Sequence, residues 1–289
     1  MKFVTFIQAG RNRVGVVDGD FVFDLNQAVP EIPSDLRQAL KEGVDLQEAA
    51  AVAMSRASER LLLSTLSFGP LIPHPGKVIC LGLNYFDHAK EGGRQRPDYP
   101  WFFTRTPTSL LAHNESIFIP AVSSQLDYEA ELAVVVGRYG KSVPADMALD
   151  LVFGYTCFND VSIRDYQKRT PQWTIGKNFD RTGAFGPVLV TADEVPPGAS
   201  GLRIEGRLNG ETMQLANTSD MIWDVATTIS LLTDCMTLEP GDVVVMGTPA
   251  GVGQSRNPPV WMKNGDRFEV SIEKIGTLVN DVRNEPRIS

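Results

Sequence analysis

Apolar residues in this chain recur mostly at the spacing of β-strands. From Lys77 onward, short apolar segments alternate with polar residues or run continuously, and Gly, Pro and Asn-Gly turns separate them. Alternation predicts strands with one buried face, and a continuous run such as Leu132–Val136 predicts burial on both faces. One long helical pattern interrupts them at residues 219–236. The pattern predicts a β-rich α+β fold with a mixed sheet rolled or sandwiched on itself, and it argues against regular βαβ alternation.

The first seventy residues differ from the rest of the chain. Two strand patterns, at residues 1–7 and 13–25, precede helical spacing over residues 34–59. A segment with three prolines, residues 68–77, then breaks the pattern in the manner of a linker. We therefore predict a small N-terminal α+β domain, residues 1–70, followed by a larger domain, residues 71–289.

Composition narrows the classes of partner. The 289 residues carry a formal net charge of −8 and contain no run of Lys and Arg, so nucleic acid and anionic membranes are not expected partners. No window approaches the ~20 apolar residues that span a bilayer, and the N-terminal apolar run is too short for a signal peptide. Three cysteines stand without metal-binding spacing. These features predict a cytoplasmic globular protein.

The segment "LDYEAELAVVVG" places negative charge at the start of a core strand. Side chains alternate along a strand, so Glu129 and Glu131 project to the same side about 7 Å apart, with Asp127 beyond them. At an effective dielectric near 20 the repulsion is about 2 kcal/mol for each adjacent pair, so a buried set needs a cation. The alternative is a solvated edge-strand face. Asp127, nearer the start of the strand, is predicted to be an outer or solvated residue.

A further carboxylate, Asp160, ends another apolar run in "GYTCFNDVSIRDYQ". Arg164 and Gln167 follow at spacings that place them on its side if a helical turn begins there. The alternative is that Asp160 only caps a helix. Three carboxylates without a Cys or His cluster form an all-oxygen site, which suits Mg²⁺, Mn²⁺ or Ca²⁺ and not zinc.

Two basic side chains stand in unusual surroundings. His88 precedes Glu91 by three residues, a spacing that on a helix lets the carboxylate orient the imidazole as a general base; a surface position is the alternative. Lys177 lies among apolar residues in "WTIGKNFD" and either serves the site or extends to solvent. His74, between two prolines, and His113, in an apparent turn, are predicted at the surface.

The segment "MGTPAGVG" follows an apolar strand and is rich in small residues. It has neither the Gly-Lys-Ser/Thr of a phosphate loop nor the glycine spacing of a dinucleotide site. Its backbone N–H groups and the Thr248 hydroxyl are suited to hold a carboxylate or oxyanion, with a plain turn as the alternative.

Six segments, taken in chain order, resemble those of the fumarylacetoacetate hydrolase family: "GLNYFDHAKE", "FFTRTPTSL", "DYEAELAVVVG", "GYTCFNDVSIRDYQ", "WTIGKNFDRTGAFGP" and "GDVVVMGTPAGVG". The resemblance covers Lys77 to the C-terminus and little of the N-terminal unit. It implies the family's mixed β-sandwich roll, a homodimer, and a Mg²⁺ or Mn²⁺ site at Glu129, Glu131 and Asp160, with Ca²⁺ as a possible substitute.

The resemblance also implies roles for other residues. His88 and Glu91 match the pair that activates water, and Lys177 matches a lysine that helps to bind the metal-chelated substrate. The family's substrate-site Arg and Gln correspond to Arg164 and Gln167. Many relatives have a lysine where this chain has Arg105, and arginine is not a neutral replacement at a site that reads a carboxylate.

The expected activity is metal-dependent hydrolysis of a carbon–carbon bond in an acylpyruvate- or fumarylpyruvate-like β-diketo acid. Water activated by His88 would attack the distal carbonyl, and Lys177 and the loop at Thr248 would stabilise negative charge on oxygen. The same site would suit a decarboxylase of an oxaloacetate-type β-keto acid, or a keto–enol isomerase. A hypothesis of another class is a catalytically silent, dimeric metal-binding protein.

Overall fold

The computed structural model describes residues 1–56, 60–93 and 95–286. The end of the predicted N-terminal helical segment, residues 57–59, and the last three residues of the predicted larger domain lie outside the described residues. The helices are α1 (Leu25–Ala28), α2 (Leu36–Lys41), α3 (Leu46–Arg56), α4 (Phe86–Glu91), α5 (Arg164–Gln167), α6 (Thr174–Lys177) and α7 (Val225–Cys235).

Strands predominate, as the sequence predicts. Those before residue 120 are β1 (Lys2–Gln8), β2 (Arg11–Asp18), β3 (Phe21–Asp24), β4 (Leu61–Leu62), β5 (Ser67–Phe68), β6 (Val78–Gly82), β7 (Trp101–Thr104), β8 (Leu110–Leu111) and β9 (Ile117–Ile119). Those after it are β10 (Leu126–Asp127), β11 (Ala130–Val136), β12 (Val152–Asp160), β13 (Ser162–Ile163), β14 (Gly183–Thr191), β15 (Arg203–Leu208), β16 (Glu211–Asn217), β17 (Val243–Val245), β18 (Arg267–Ile272) and β19 (Gly276–Asn284).

A large mixed sheet runs through the described residues in the order β4-β3-β2-β1-β14-β12-β11-β17-β6-β7, with β5 on β1 and β8 on β14. The N-terminal strands join it through the antiparallel pair β1–β14, in which Phe3 lies opposite Leu189. The strands of residues 1–70 are thus continuous with the larger sheet, and the predicted boundary at residue 70 stays a prediction.

A second sheet, β16-β15-β18-β19-β9, packs against the first and completes the predicted β-sandwich roll. The position of β11 explains the continuous apolar run Leu132–Val136. Leu132 and Val134 enter the core between the sheets, whereas Ala133 and Val135 enter a second core that the N-terminal helices cover. Because both faces are buried there, the segment after Glu131 has no position at which alternation would place a polar side chain.

The predicted long helix is the shorter α7. Asp224 ends the preceding loop and caps α7 by accepting a 2.8 Å hydrogen bond from Thr227 N–H, so the helix begins at Val225. None of the helices in the described ranges is long and apolar enough to cross a membrane.

Candidate active site

The three predicted metal ligands meet where β11 and β12 pair. The Asp160 N–H donates a 3.0 Å hydrogen bond to the Glu129 carbonyl, which fixes the end of β12 beside the start of β11. Glu129, Glu131 and Asp160 each offer one carboxylate oxygen, and these oxygens lie within 4.8 Å of one another. All three side chains are buried, so the solvated edge-strand alternative is wrong.

Lys177 lies between two of these carboxylates. Its Nζ is 2.6 Å from Glu129 Oε2 and 2.6 Å from Asp160 Oδ2, and the residue is 2% exposed, so it does not extend to solvent. Burial alone lowers the pKa of Lys177, but Asp160 and Glu129 outweigh it and raise the pKa above its ordinary value. The ammonium group therefore stays charged inside the site.

Arg164 connects Glu129 to a second buried carboxylate, that of Asp127. Its Nε donates to Asp127 Oδ2 at 2.7 Å, its Nη1 donates to Gln167 Oε1 at 2.9 Å, and its Nη2 forms a 2.7 Å ion pair with Glu129 Oε1. Asp127 also accepts hydrogen bonds from Gly253 N–H and Gln254 N–H. Asp127 is thus not solvated, because Arg164 and these two amides balance its charge.

Arg105 is turned toward Asp160. Its guanidinium contacts Asp160 Oδ1 and donates to Thr182 Oγ1 at 2.7 Å and to Ser109 Oγ at 3.3 Å. The residue is 3% exposed and is not among the described residues that line the cavity below. Its position does not support the predicted substrate contact, since these partners occupy its donors.

Glu131 is the carboxylate without a protein cation in the described part of the chain. It accepts a 2.6 Å hydrogen bond from Gly247 N–H and forms no ion pair there. Burial and the charges of Asp160 and Glu129 raise its pKa well above the ordinary value. For Glu129, burial acts in the same direction, but Lys177 and Arg164 prevail and lower its pKa to about 2.

The formal charge of the cluster is negative and favours a bound cation. Four buried carboxylates, counting Asp127, face three buried protein cations: Arg105, Arg164 and Lys177. The net negative charge and the all-oxygen donors fit a hard divalent cation, which would lie against the carboxylates of Glu129, Glu131 and Asp160.

His88 and Glu91 lie on α4 and form the predicted pair. His88 Nδ1 is 2.7 Å from Glu91 Oε1, and Glu91 Oε2 accepts a 2.9 Å hydrogen bond from Gly251 N–H. With the proton on Nδ1, the imidazole donates to the carboxylate and keeps Nε2 unprotonated. Glu91 thereby orients the ring and holds α4 against the segment after Gly247.

Thr248 lies in the cavity, but its hydroxyl is engaged within the protein. It donates to the Ala130 carbonyl at 3.0 Å and accepts from Gln214 Nε2 at 2.8 Å. The hydroxyl therefore has no second proton for an oxyanion, and the predicted donor role is not supported for it. The preceding Gly247 adopts φ +86° and approaches Asn84 closely, which directs its N–H to Glu131.

These groups border a cavity of about 780 Å³. Of the predicted residues, those lining it are His88, Glu91, Glu129, Glu131, Arg164, Gln167, Lys177 and Thr248. Trp101, Phe103 and Trp173 also line it and were not predicted from the sequence, whereas Asp127 takes the outer position that was one of its two predicted alternatives. The aromatic residues at positions 101 and 103 of "WFF" share a strand face and were the available signal.

Sequence comparisons identify a matching family model and similar proteins. Residues 77–283 match the family model described as fumarylacetoacetate (FAA) hydrolase C-terminal. The oxaloacetate tautomerase YisK of Bacillus subtilis (strain 168) is 38% identical over 98% of this chain and 100% of its own length. The human mitochondrial oxaloacetate tautomerase FAHD2A is 38% identical over 92% of this chain and 85% of its own length.

A solved structure of similar fold contains a bound metal ion. Maleylpyruvate hydrolase from Sphingobium sp. SYK-6, in complex with manganese(II) ion and pyruvate, superposes with a TM-score of 0.83 at 28% identity, covering 99% of this chain and all of the other. The predicted fold is confirmed, and a divalent metal is bound in a protein of the same fold.

The expectation of carbon–carbon bond hydrolysis is contradicted. The relatives at 38% identity are oxaloacetate tautomerases, and tautomerisation cleaves no carbon–carbon bond. The keto–enol isomerase alternative fits these relatives better. The motifs did not reveal this difference, because the carboxylates, the lysine and the His-Glu pair suit both reactions.

Proposed function

The chain belongs to the fumarylacetoacetate hydrolase family, and we propose that it is a divalent-cation-dependent enzyme that interconverts the keto and enol forms of oxaloacetate or a similar 2-oxo acid. One observation carries the proposal: the His88–Glu91 pair borders the same cavity as Glu129 and Glu131, two members of the buried carboxylate cluster. A base beside a cation site is what proton removal next to a carbonyl requires.

Glu129, Glu131 and Asp160 would hold the cation, and we propose Mg²⁺ or Mn²⁺ on the basis of the oxygen donors. When bound, the cation supplies Lewis acidity that makes the C3 protons of a 2-oxo acid easier to remove.

His88 would perform the proton transfer. Its Nε2 accepts a proton from C3 of the substrate and returns a proton to the C2 oxygen, while Glu91 stabilises the imidazolium that exists between these steps. The C2–C3 bond becomes double and the carbonyl becomes a hydroxyl, so atoms and electrons balance without water. The Lys177 ammonium contributes positive charge at the base of the cavity, where negative charge develops on substrate oxygen.

Assembly and partners follow the family resemblance. We propose a homodimer that acts on a small keto acid, and light scattering of the purified protein would give its oligomeric state. A monomer at micromolar concentration would contradict this part of the proposal.

The test follows oxaloacetate by the absorbance of its enol, with Mg²⁺ or Mn²⁺ and with EDTA, while pyruvate and CO₂ are measured in parallel. We expect faster keto–enol interconversion that EDTA abolishes and metal restores, with no matching release of pyruvate. His88→Ala should lower kcat by roughly 100-fold or more with Mn²⁺ binding unchanged. His74→Ala, at an exposed histidine, is the matched control.

Two results would overturn the proposal. Stoichiometric pyruvate and CO₂ would identify a decarboxylase instead, and full activity of His88→Ala would remove His88 as the base.

A further inference from the structure

One wall of the cavity is apolar, although the proposed substrate is a small dicarboxylate. The apolar residues that line it are Leu81, Leu83, Trp101, Phe103, Pro171 and Trp173. They come from the end of β6, from β7 and from the segment that precedes α6. Polar groups also line the cavity, among them Gln167, Lys168 and Gln254.

The pairing of β6 with β7 makes room in this wall for the ring of Trp173. Gly82 lies opposite Trp101 in the antiparallel pair, and Phe103 projects to the same face as Trp101. A Cβ at Gly82 would lie 2.1 Å from the ring of Trp173. The missing side chain at position 82 thus provides the space into which the Trp173 ring packs, beside Trp101 and Phe103.

The aromatic rings form a row that begins beside Lys177 and ends at the partly exposed Trp101. The Phe103 ring centroid is 5.1 Å from Lys177 Nζ, and the Trp173 centroid is 5.6 Å from that of Phe103. Trp101 continues the row, 5.6 Å from Trp173, and is 43% exposed. A ligand held at the cluster therefore has an aromatic surface beside it over the length of this row.

Oxaloacetate does not use such a surface. It has four carbons with a carboxylate at each end, so it offers no apolar group to these rings, and it fills a small part of the cavity of about 780 Å³. Aromatic side chains gain most from a flat apolar ring that stacks or meets them edge to face. The wall thus matches a 2-oxo acid in which an aromatic ring replaces the distal carboxylate.

We propose that Phe103, Trp173 and Trp101 form a subsite for an aromatic substituent at C3 of a 2-oxo acid, so that the enzyme also tautomerises arylpyruvates. This inference rests on the proposed keto–enol function. The chemistry is the same: one proton leaves C3, one proton is added to the C2 oxygen, and the double bond moves to C2–C3. The 2-oxo acid group occupies the carboxylate-cluster end, and the ring lies along the aromatic row.

The test compares phenylpyruvate with oxaloacetate in wild type and in Trp101→Ala, which removes an exposed ring at the edge of the sheet. We expect wild type to tautomerise phenylpyruvate, and the ratio of kcat/KM for phenylpyruvate to that for oxaloacetate to fall at least tenfold in the variant. Gly82→Ala, which displaces the Trp173 ring, should shift the ratio in the same direction. Tyr139→Ala removes an exposed aromatic side chain that is not among the cavity-lining residues and should leave the ratio unchanged.

Phenylpyruvate binding is also measured by calorimetry, so that a readout independent of turnover is available. The inference is overturned if wild type tautomerises oxaloacetate but neither binds nor tautomerises phenylpyruvate, or if Trp101→Ala and Tyr139→Ala give the same ratio. If oxaloacetate is not a substrate but phenylpyruvate is, the proposed substrate identity fails while the aromatic subsite stands.

Discussion

Asp127 and Arg164 form a fully buried ion pair, with Arg164 Nε 2.7 Å from Asp127 Oδ2. The same guanidinium reaches Glu129, and the same carboxylate accepts hydrogen bonds from Gly253 and Gln254. The pair therefore joins Glu129, a proposed metal ligand, to the segment that contacts Glu91 through Gly251. Asp127 affects the site through Arg164, without lining the cavity itself.

Asp127→Asn should cost about 3 kcal/mol of unfolding free energy, because the amide cannot balance Arg164 and presents a donor to N–H groups. Denaturant unfolding measures the loss, and Mn²⁺ titration followed by electron paramagnetic resonance should show weaker binding. Asp281→Asn is the control, since the exposed Arg267–Asp281 pair contributes little. Equal stability of the two variants would contradict the connecting role of Asp127.

Glu131→Gln should lower metal affinity without lowering the stability of the metal-free protein. Glu131 has no protein cation within the described residues and is repelled by Asp160 and Glu129, so its neutral replacement should leave the metal-free protein as stable or more stable. Mn²⁺ affinity should fall more than about 100-fold. Glu129→Gln, in contrast, leaves Lys177 and Arg164 short of a partner and should lower both quantities. If Glu131→Gln destabilises the metal-free protein as much as Glu129→Gln does, the charge argument is wrong.

Glu91→Gln should reduce kcat for keto–enol interconversion by roughly 10- to 100-fold without changing Mn²⁺ affinity. The amide still reaches His88 and Gly251 N–H, but it stabilises the imidazolium less than a carboxylate does. Steady-state kinetics and a Mn²⁺ titration separate the two effects. Parallel losses of kcat and Mn²⁺ binding would indicate a structural role instead.

Arg105→Lys should weaken Mn²⁺ binding by roughly tenfold and leave the KM for substrate nearly unchanged. Lysine keeps the charge beside Asp160 but cannot also reach Thr182 and Ser109, so the carboxylate loses its fixed orientation. A raised KM with unchanged Mn²⁺ affinity would instead support the substrate contact predicted from the sequence.

His113 should make the protein less stable in acid. It is not a plain surface residue: it packs edge-on against Phe68 and accepts a 3.1 Å hydrogen bond from Val279 N–H, and burial lowers its pKa to about 4. The unfolded chain, with an ordinary pKa near 6.5, binds more protons between these values. The stability from neutral His113 is therefore complete above pH ~6.5 and is lost as the pH falls toward ~4.

The measurement compares denaturant unfolding at about pH 7.5 and about pH 4.5 in wild type and His113→Asn, which keeps an acceptor for Val279. Wild type should lose on the order of 2 kcal/mol more than the variant between these pH values. The same pH dependence in both proteins would falsify the assignment to His113.

Local pattern in the sequence was sufficient to predict the strand-rich fold and to select three carboxylates that the structure brings together. The run after Glu131 is apolar at every position because both faces of β11 are covered. A buried negative charge at the start of this run is stable only beside a cation. Asp160 was found because it too ends a buried strand. These signals are short-range, since strand periodicity fixes which side chains share a face.

The tertiary structure alone decided which partners these residues have. Asp127 contacts Arg164, which is 37 residues away in sequence, and Arg105 contacts Asp160, which is 55 residues away. Periodicity in the sequence predicts neither contact. Gly82 and Trp173 are similarly distant, yet the missing side chain of one makes room for the ring of the other. Strand pairing sets these contacts, and the charge balance and shape of the cavity depend on them. The sequence therefore identified the chemical groups, whereas the fold determined which of them face the substrate and which hold the others in position.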